Sequence, residues 1–376
     1  MLLLVIESEH EHDGRARFEM NVDTLLKQPG AWLSSHGPDA GIVVSSRIRL
    51  ARNLQSAAFP GWAGEEECEK LWQRLSGTLS GLKSLKPSLV ISMGELTELD
   101  KQILFERHLI SREQAEKGRG SGLVLREDER VSVMVNEEDH MRLQAMSPGL
   151  DLKGIWKIID GLDNEIDKNA DYAFSPKLGY MTACPTNVGT GMRASVMLHL
   201  PGLVLMNEIN PVVKGMGKIG LAVRGLWGEG TEAIGNMFQI SNQITLGEKE
   251  EDIISNIEQI VLEIIEHEKN ARGRLMDKKD SIVKDHVGRA FGILAFAHIL
   301  TSKEALDLLS GLRLGIDLGI LKAMERRAVD ELLLLTQPGH LQKLEGKALK
   351  PKERDRSRAR LVREKLSPYL RRDGER

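Results

Sequence analysis

Apolar and polar residues alternate along "ERVSVMV" (129–135), the pattern of a half-buried strand. The wider segment "GLVLREDERVSVMVNEE" (122–138) predicts two such strands around a polar turn. "GIVVSSRIRLARNL" (41–54) begins as a strand, and "GKIGLAVRG" (217–225) and "NMFQISNQITLG" (236–247) predict two more. "GYMTACPTNVGTGMRASVMLHL" (179–200) reads as strand, Gly-rich loop and apolar run. Helical spacing appears in "MGELTELDKQILFERHLI" (93–110), through Leu96, Leu99 and Ile103, and "MNVDTLLKQPGAWL" (20–33) predicts an amphipathic helix. After Glu248 the texture changes. Ile253, Ile257, Val261 and Ile264 fall on one helical face, and the rest of the chain carries few strand signals. The pattern predicts a mixed part over 20–270 and an all-helical part over 271–376, with a boundary near 270 bridged by a long helix. No internal repeat is present.

Length and composition narrow this picture. The 376 residues suffice for two domains, and 41% hydrophobic with 28% charged residues is a globular composition. A net charge of −3 gives no overall signal for nucleic acid or a membrane surface. Cys68 and Cys184 are the only cysteines, which suits a reducing cytoplasm better than a disulfide framework. The opening apolar run is too short for a signal peptide or membrane span, so residues 1–19 are expected to be a disordered extension or a misplaced start. The last thirty residues are basic, with twelve Lys/Arg against five Asp/Glu.

The chemistry concentrates in a few places. "VNEEDHMR" (135–142) sets Glu137, Glu138 and Asp139 side by side at a strand end, where like charges call for a cationic partner. Arg47, Arg49, Arg142, Arg193 and Arg224 each lie in a strand-like segment or Gly loop. Converging guanidinium forks would suit a triphosphate; five separate surface ion pairs is the plainer alternative. "CPTNVGTGMR" (184–193) is a Gly-rich loop that could approach an anion or simply turn, and it lacks the Walker A GK[ST]. Cys184 is either a small buried hydrophobe or a thiolate beside cations. "RGLWGEGTE" (224–232) has the composition of a mobile ligand-closing loop carrying Glu229, or of an exposed polar turn.

In this order, "SSRIRLAR", "NEEDHMR", "CPTNVGTGMR" and "RG…GEG" resemble the phosphagen kinases, the creatine and arginine kinases, over roughly residues 41–270. The resemblance implies an α+β catalytic domain, an antiparallel sheet flanked by helices of the glutamine-synthetase-like kind, using ATP with Mg²⁺. It implies that the acids face the substrate's own guanidinium, with Glu138 leading, Glu229 as its partner and Cys184 as the reactive cysteine beside it. It places the nucleotide on Ser45, Ser46, Arg47, Ile48, Arg49, His108, Arg142 and Arg193, and on Ala194, Ser195, Val196 and Met197. Arg224, Gly225, Leu226, Trp227, Gly228 and Glu229 would complete that set, with no side chain assigned to the metal. His108 is nearly as consistent with a structural histidine.

Only 44 residues precede Ser45, whereas creatine and arginine kinases carry a helical domain there, so a more open site with room for a protein arginine is expected. That feature and the helical C-terminal part resemble the bacterial protein arginine kinases of the McsB type. "RDRSRA" (354–359) is similar to their RDxxRA motif, which implies a phosphoarginine pocket built from Arg354, Asp355, Arg356, Ser357, Arg358 and Ala359. A solvated basic helix is the alternative. The resemblance further implies protein substrates with accessible arginines, a Clp-type ATPase or protease, an activator protein, a homodimer and a cytoplasmic location, without membrane or nucleic-acid binding. Two rivals remain: a kinase for free arginine, and a catalytically silent phosphoarginine-binding adaptor.

Overall fold

The computed structural model describes residues 22–26, 30–33, 36–225 and 233–370. Strands β1 (Val43–Arg52), β2 (Ser88–Ser92), β3 (Gly122–Arg126), β4 (Val131–Val135) and β5 (Met141–Pro148) are followed by the short pair β6 (Phe174–Ser175) and β7 (Gly179–Tyr180). Then come β8 (Met192–His199), β9 (Leu221–Arg224) and β10 (Met237–Asn242). Eight of them form one antiparallel sheet in the order β2-β3-β4-β5-β1-β8-β10-β9. The helices are α1 (Val22–Leu25), α2 (Glu65–Gly81), α3 (Glu98–Glu106), α4 (Arg112–Ala115), α5 (Leu152–Asp167), α6 (Pro201–Leu205) and α7 (Ile209–Lys218). After them come α8 (Glu250–Phe296), α9 (Ser302–Asp317), α10 (Arg326–Leu335), α11 (Pro338–Leu344) and α12 (Pro351–Leu370).

Strand alternation separates two chemistries. Ile48, Leu50, Val133, Leu143, Ala194, Val196 and Ile240 point to one face and pack in one core with Trp72 and Leu75 of α2, Ile155 and Ile159 of α5, and Ile257 and Val261 of α8. Asp151 caps α5, accepting from Gly154 N at 3.1 Å. The opposite face carries arginines, serines and glutamines at its centre. Towards one end it carries Met134, Met146, Met197 and Met237, in a core shared with Leu294, Leu309, Leu332 and Val362 of the C-terminal helices. A register shift between Val43 and Ser45 lets Val44 join this second core and sets the parity that keeps Arg47 and Arg49 on the polar face.

Several expectations are refined. Of the helix expected over 20–33, the described residues show one turn at Val22–Leu25, and residues 30–33 are not helical. The strand expected over 217–225 starts at Leu221; Gly217 and Lys218 finish α7. The long helix expected to bridge the boundary near 270 is α8. The helix α8 runs on to Phe296, departing from helical geometry only at Lys279 (φ −137). Residues 1–19 lie outside the described residues. Among the described residues, no helix is long and apolar enough to cross a membrane.

The C-terminal helices are fastened to the sheet domain by buried charge. Glu106 at the end of α3 accepts from Gly339 N (2.7 Å), His340 N (3.0 Å) and His340 Nδ1 (2.7 Å) at the start of α11. Arg313 of α9 bonds Asp330 and Ala40 O, and Arg272 of α8 bonds Glu268 and Asp317. Each buried charge therefore has partners, as burial demands.

Candidate active site

The polar face gathers the predicted arginines. Arg49 on β1 lies opposite Arg193 on β8, Arg47 opposite Ser195, and Arg224 on β9 opposite Gln239 on β10. On the other flank Arg49 pairs with Gln144 and Ala51 with Arg142. Arg47 donates to Gln239 Oε1 at 3.0 Å, while the buried Nε of Arg49 has no hydrogen-bond partner. Burial, with Arg142, Arg193 and Arg224 around it, lowers the Arg47 pKa to about 10. Arg49 is driven down by burial and by Arg47, Arg142 and Arg193. His108 is pushed down to about 3 by burial and by Arg47 and Arg49, so it is neutral near pH 7. A cluster of this kind is a site in need of a polyanion. Separate surface ion pairs, the alternative reading, are not what the strand register builds.

The nucleotide set divides by strand parity. Ser45, Arg47, Met146, His108, Ser195, Met197 and Gln239 line one recess with Trp32, whose ring meets the His108 ring edge-on at 4.6 Å. Ile48, Ala194 and Val196 are buried in the apolar core on the other face, so their side chains point away from the recess. Ser46 also points away, donating to Gly149 O (2.8 Å) and accepting from Asp151 N (3.0 Å). Arg224 and Gly225 are described; Leu226, Trp227, Gly228 and Glu229 lie outside the described residues.

The three acids do not act as a group. Glu137 is buried, and its Oε1 accepts from Arg142 Nη1 at 2.6 Å and from Ser111 Oγ. Asp139 is buried too, accepting from Asn53 Nδ2 (2.6 Å) and Ala183 N (2.7 Å). Only Glu138 opens onto solvent, with 42% of its side chain exposed and a 3.3 Å ion pair to Arg142. Burial, then Asp139, Glu137 and Glu113, raise its pKa, against the pull of Arg142. The expectation that all three face a substrate guanidinium is therefore corrected: internal partners hold Glu137 and Asp139, and Arg142 bonds Glu137 and Glu138 where the acid run meets the cation face. Glu138 and Glu137 line a cleft of about 290 Å³ with Phe59, Gly61, Trp62, Lys117, Thr182 and Ala183.

Cys184 sits just beyond that cleft, its Sγ 3.0 Å from Thr186 Oγ1. The Gly-rich loop after it is explained by packing. A Cβ on Gly189 would lie 2.4 Å from Thr245 O, and one on Gly191 2.7 Å from Ala51 O, both at positive φ. Thr245 Oγ1 fastens the loop through Thr186 O (2.9 Å) and Val188 O (2.7 Å).

Sequence reasoning missed three supporting residues. Arg52 is buried against Asp163 at 2.6 Å and holds Thr190 O at 3.0 Å. It stands in the same arginine-rich run as Arg47 and Arg49, but at even parity, which is the signal that sends it to the opposite face. Gln239 and Ser111 carry no sequence signal of their own.

The RDRSRA segment lies on α12 and is also divided. Arg358 is buried, donating to Thr336 O (2.8 Å), Leu300 O (2.7 Å) and Asp355 Oδ1 (2.7 Å). Ala359 is in the core and Arg354 bonds Leu349 O at 3.0 Å. Arg356 and Ser357 line a groove of about 540 Å³ with Lys347, Arg360, Arg363 and His298, and with the acids Glu345 and Glu353.

Comparison with known proteins agrees with this geometry. Residues 70–271 match the ATP:guanido phosphotransferase C-terminal catalytic domain, and residues 280–375 match the protein-arginine kinase McsB C-terminal domain. The first match ends within α8 at residue 271, and the second begins at 280, just after the Lys279 irregularity. A protein-arginine kinase from Halothermothrix orenii is 46% identical over 345 residues, covering 92% of this chain and 99% of the relative. One from a Geobacillus species is 47% identical over 340 residues, covering 89% and 93%. The duplicated taurocyamine kinase from Schistosoma mansoni, with bound transition-state-analogue components, superposes with TM-score 0.56 at 31% identity over 65% of this chain and 35% of its own. Lombricine kinase shares the fold at TM-score 0.55 and 24% identity, over 66% of this chain and 70% of its own. With both halves matched and near-complete coverage of the relatives, the chain belongs to the protein-arginine kinase family, within the ATP:guanido phosphotransferases.

Proposed function

We propose that the chain transfers the γ-phosphoryl group of ATP to the guanidino nitrogen of arginine residues in proteins. The observation that carries the reading is the Glu138–Arg142 junction, where an exposed carboxylate abuts a face of clustered arginines. The donor is anionic and the acceptor cationic, and the site supplies the complement of each within one hydrogen-bonded unit. The curated relatives named as protein-arginine kinases support the same acceptor.

Arg47, Arg49, Arg142, Arg193 and Arg224 hold the phosphates and the charge that spreads over the transferring group. Mg²⁺ arriving with ATP supplies further neutralisation of the phosphates, which are its usual ligands. Glu138 accepts two N–H groups of the planar acceptor guanidinium, fixing its orientation. As the N–P bond forms and the bond from phosphorus to the ADP oxygen breaks, the guanidinium proton passes to Glu138. The raised pKa of that carboxyl makes it a better base than an ordinary glutamate. Neutral His108 and Trp32 border the recess beside Ser45 and Arg47, which suits the nucleoside end.

The groove beside α12 favours a second ligand site. Arg356, Arg360 and Arg363 offer cations for a phosphoryl group and Glu345 and Glu353 acids for a guanidinium, which is the complement of phosphoarginine. Marking for a Clp-type protease, an activator protein, a homodimer and a cytoplasmic location are proposed on family resemblance alone. The test of the main reading offers free arginine and an unfolded protein together to purified chain with labelled ATP. Label on protein is expected; label confined to free arginine would select the small-guanidine kinase, and no label in either would select the silent adaptor.

A further inference from the structure

Trp62 is the most exposed large apolar side chain among the described residues, at 89%. A single exposed apolar residue normally needs no explanation. Two features set this one apart. It lines the cleft that contains Glu138, and its backbone is fixed by the acid run itself. His140, two residues after Glu138, is fully buried and takes Leu54 N on Nδ1 at 3.0 Å, while its Nε2 lies 2.8 Å from Ala58 O. The Phe59 ring meets the His140 ring edge-on at 5.9 Å. Trp62 N and Ala63 N then both donate to Phe59 O, at 2.8 and 3.0 Å, closing the turn. One short segment therefore presents the carboxylate and also anchors the turn that carries the indole.

Resting on the proposed protein-arginine kinase activity, we infer that Trp62 is a specificity-determining residue: it receives an apolar side chain next to the target arginine, so that the cleft selects extended polypeptide with an apolar neighbour. An arginine whose guanidinium reaches Glu138 brings its own backbone to the mouth of a 290 Å³ cleft that also holds Phe59, Ala183 and Trp62. In an extended chain, neighbouring residues follow at about 3.3 Å spacing, so the adjacent side chains fall within reach of an indole at the rim. Tryptophan gives large contact area for little lost side-chain freedom, which is why it recurs at binding anchors. Apolar residues beside arginine are exposed mainly in unfolded chains, so the same contact would bias the enzyme towards them.

The experiment compares kcat/KM for two heptapeptides, each with one central arginine, flanked by leucines or by glycines, with free arginine as a third acceptor. The parent should prefer the leucine peptide by about tenfold, the worth of burying roughly 60 Å² of apolar surface. In Trp62→Ala that preference should collapse to near unity, through KM for the peptide, with KM for ATP and kcat unchanged; Trp62→Phe should recover part of it. Equal use of both peptides by the parent, or an undiminished preference in Trp62→Ala, overturns the inference while leaving the kinase reading intact. Transfer to neither peptide overturns both.

Discussion

Replacing Glu138 with glutamine keeps the shape of the side chain and removes its charge and basicity. What the fold loses is small. Among the described residues the ion pair involved is the 3.3 Å contact to Arg142, on a side chain 42% exposed, and such a pair is worth at most about 1 kcal/mol after screening. Arg142 keeps its 2.6 Å bond to Glu137, so the cation face stays assembled. Nucleotide affinity should therefore remain within about threefold of the parent. Turnover should fall by roughly 10²–10⁴, or about 2.7–5.5 kcal/mol of barrier, because the acceptor loses both its aligning anion and its proton acceptor. The pH profile gives an independent signature. Burial holds the Glu138 carboxyl above the ordinary glutamate range, so the parent should lose kcat/KM for the protein acceptor as pH falls through that raised pKa. Glu138→Gln should lack that limb. Steady-state kinetics from pH 5 to 8, with nucleotide binding measured by calorimetry, decides the matter. Turnover within fivefold of the parent, or a loss of ATP affinity as large as the loss of turnover, would refute the assignment.

Arg49→Met should weaken ATP binding at least tenfold while leaving the urea midpoint of the nucleotide-free protein equal or higher, since a buried cation repelled by Arg47, Arg142 and Arg193 is removed; a clear destabilisation with intact ATP affinity would contradict it. His108 and His199 are buried with depressed pKa values, so the unfolded chain binds more protons below about pH 6.5, and their contribution is present above that pH and lost below it. Each should cost on the order of 1 kcal/mol between pH 7 and 5.5, and His199→Asn should flatten the dependence of the urea midpoint relative to the parent. Arg356→Ala should weaken binding of free phosphoarginine about tenfold by calorimetry without lowering Tm, because its side chain is exposed in the groove; unchanged affinity would return α12 to a solvated basic helix.

The period-two pattern made most of the sheet legible, and the arginines could be found because they sit on strands whose other face is apolar. Parity was also what the motif left unread. Contiguous motif positions such as Ser46, Ile48, Ala194 and Val196 carry side chains that point away from the arginine face, which a motif read as a block does not reveal. The acid run misled for a related reason. Glu137 and Asp139 are satisfied by Ser111, Asn53 and Ala183, partners that are distant in sequence and leave no local trace. The long helix hid its irregularity because Leu275, Val283 and Val287 continue an apolar face on either side of Lys279. In RDRSRA, helical spacing alone could not tell that Arg358 turns inward to Thr336 and Leu300 while Arg356 turns outward.

The central claim is that phosphorus ends on the guanidino nitrogen of a protein arginine. The most direct measurement is the ³¹P spectrum of an unfolded polypeptide after incubation with the chain and ATP, repeated after brief acid treatment. A phosphoramidate signal assigned to arginine side chains, lost in acid where phosphoserine survives, is the predicted result. An acid-stable phosphomonoester on serine, threonine or tyrosine would contradict it.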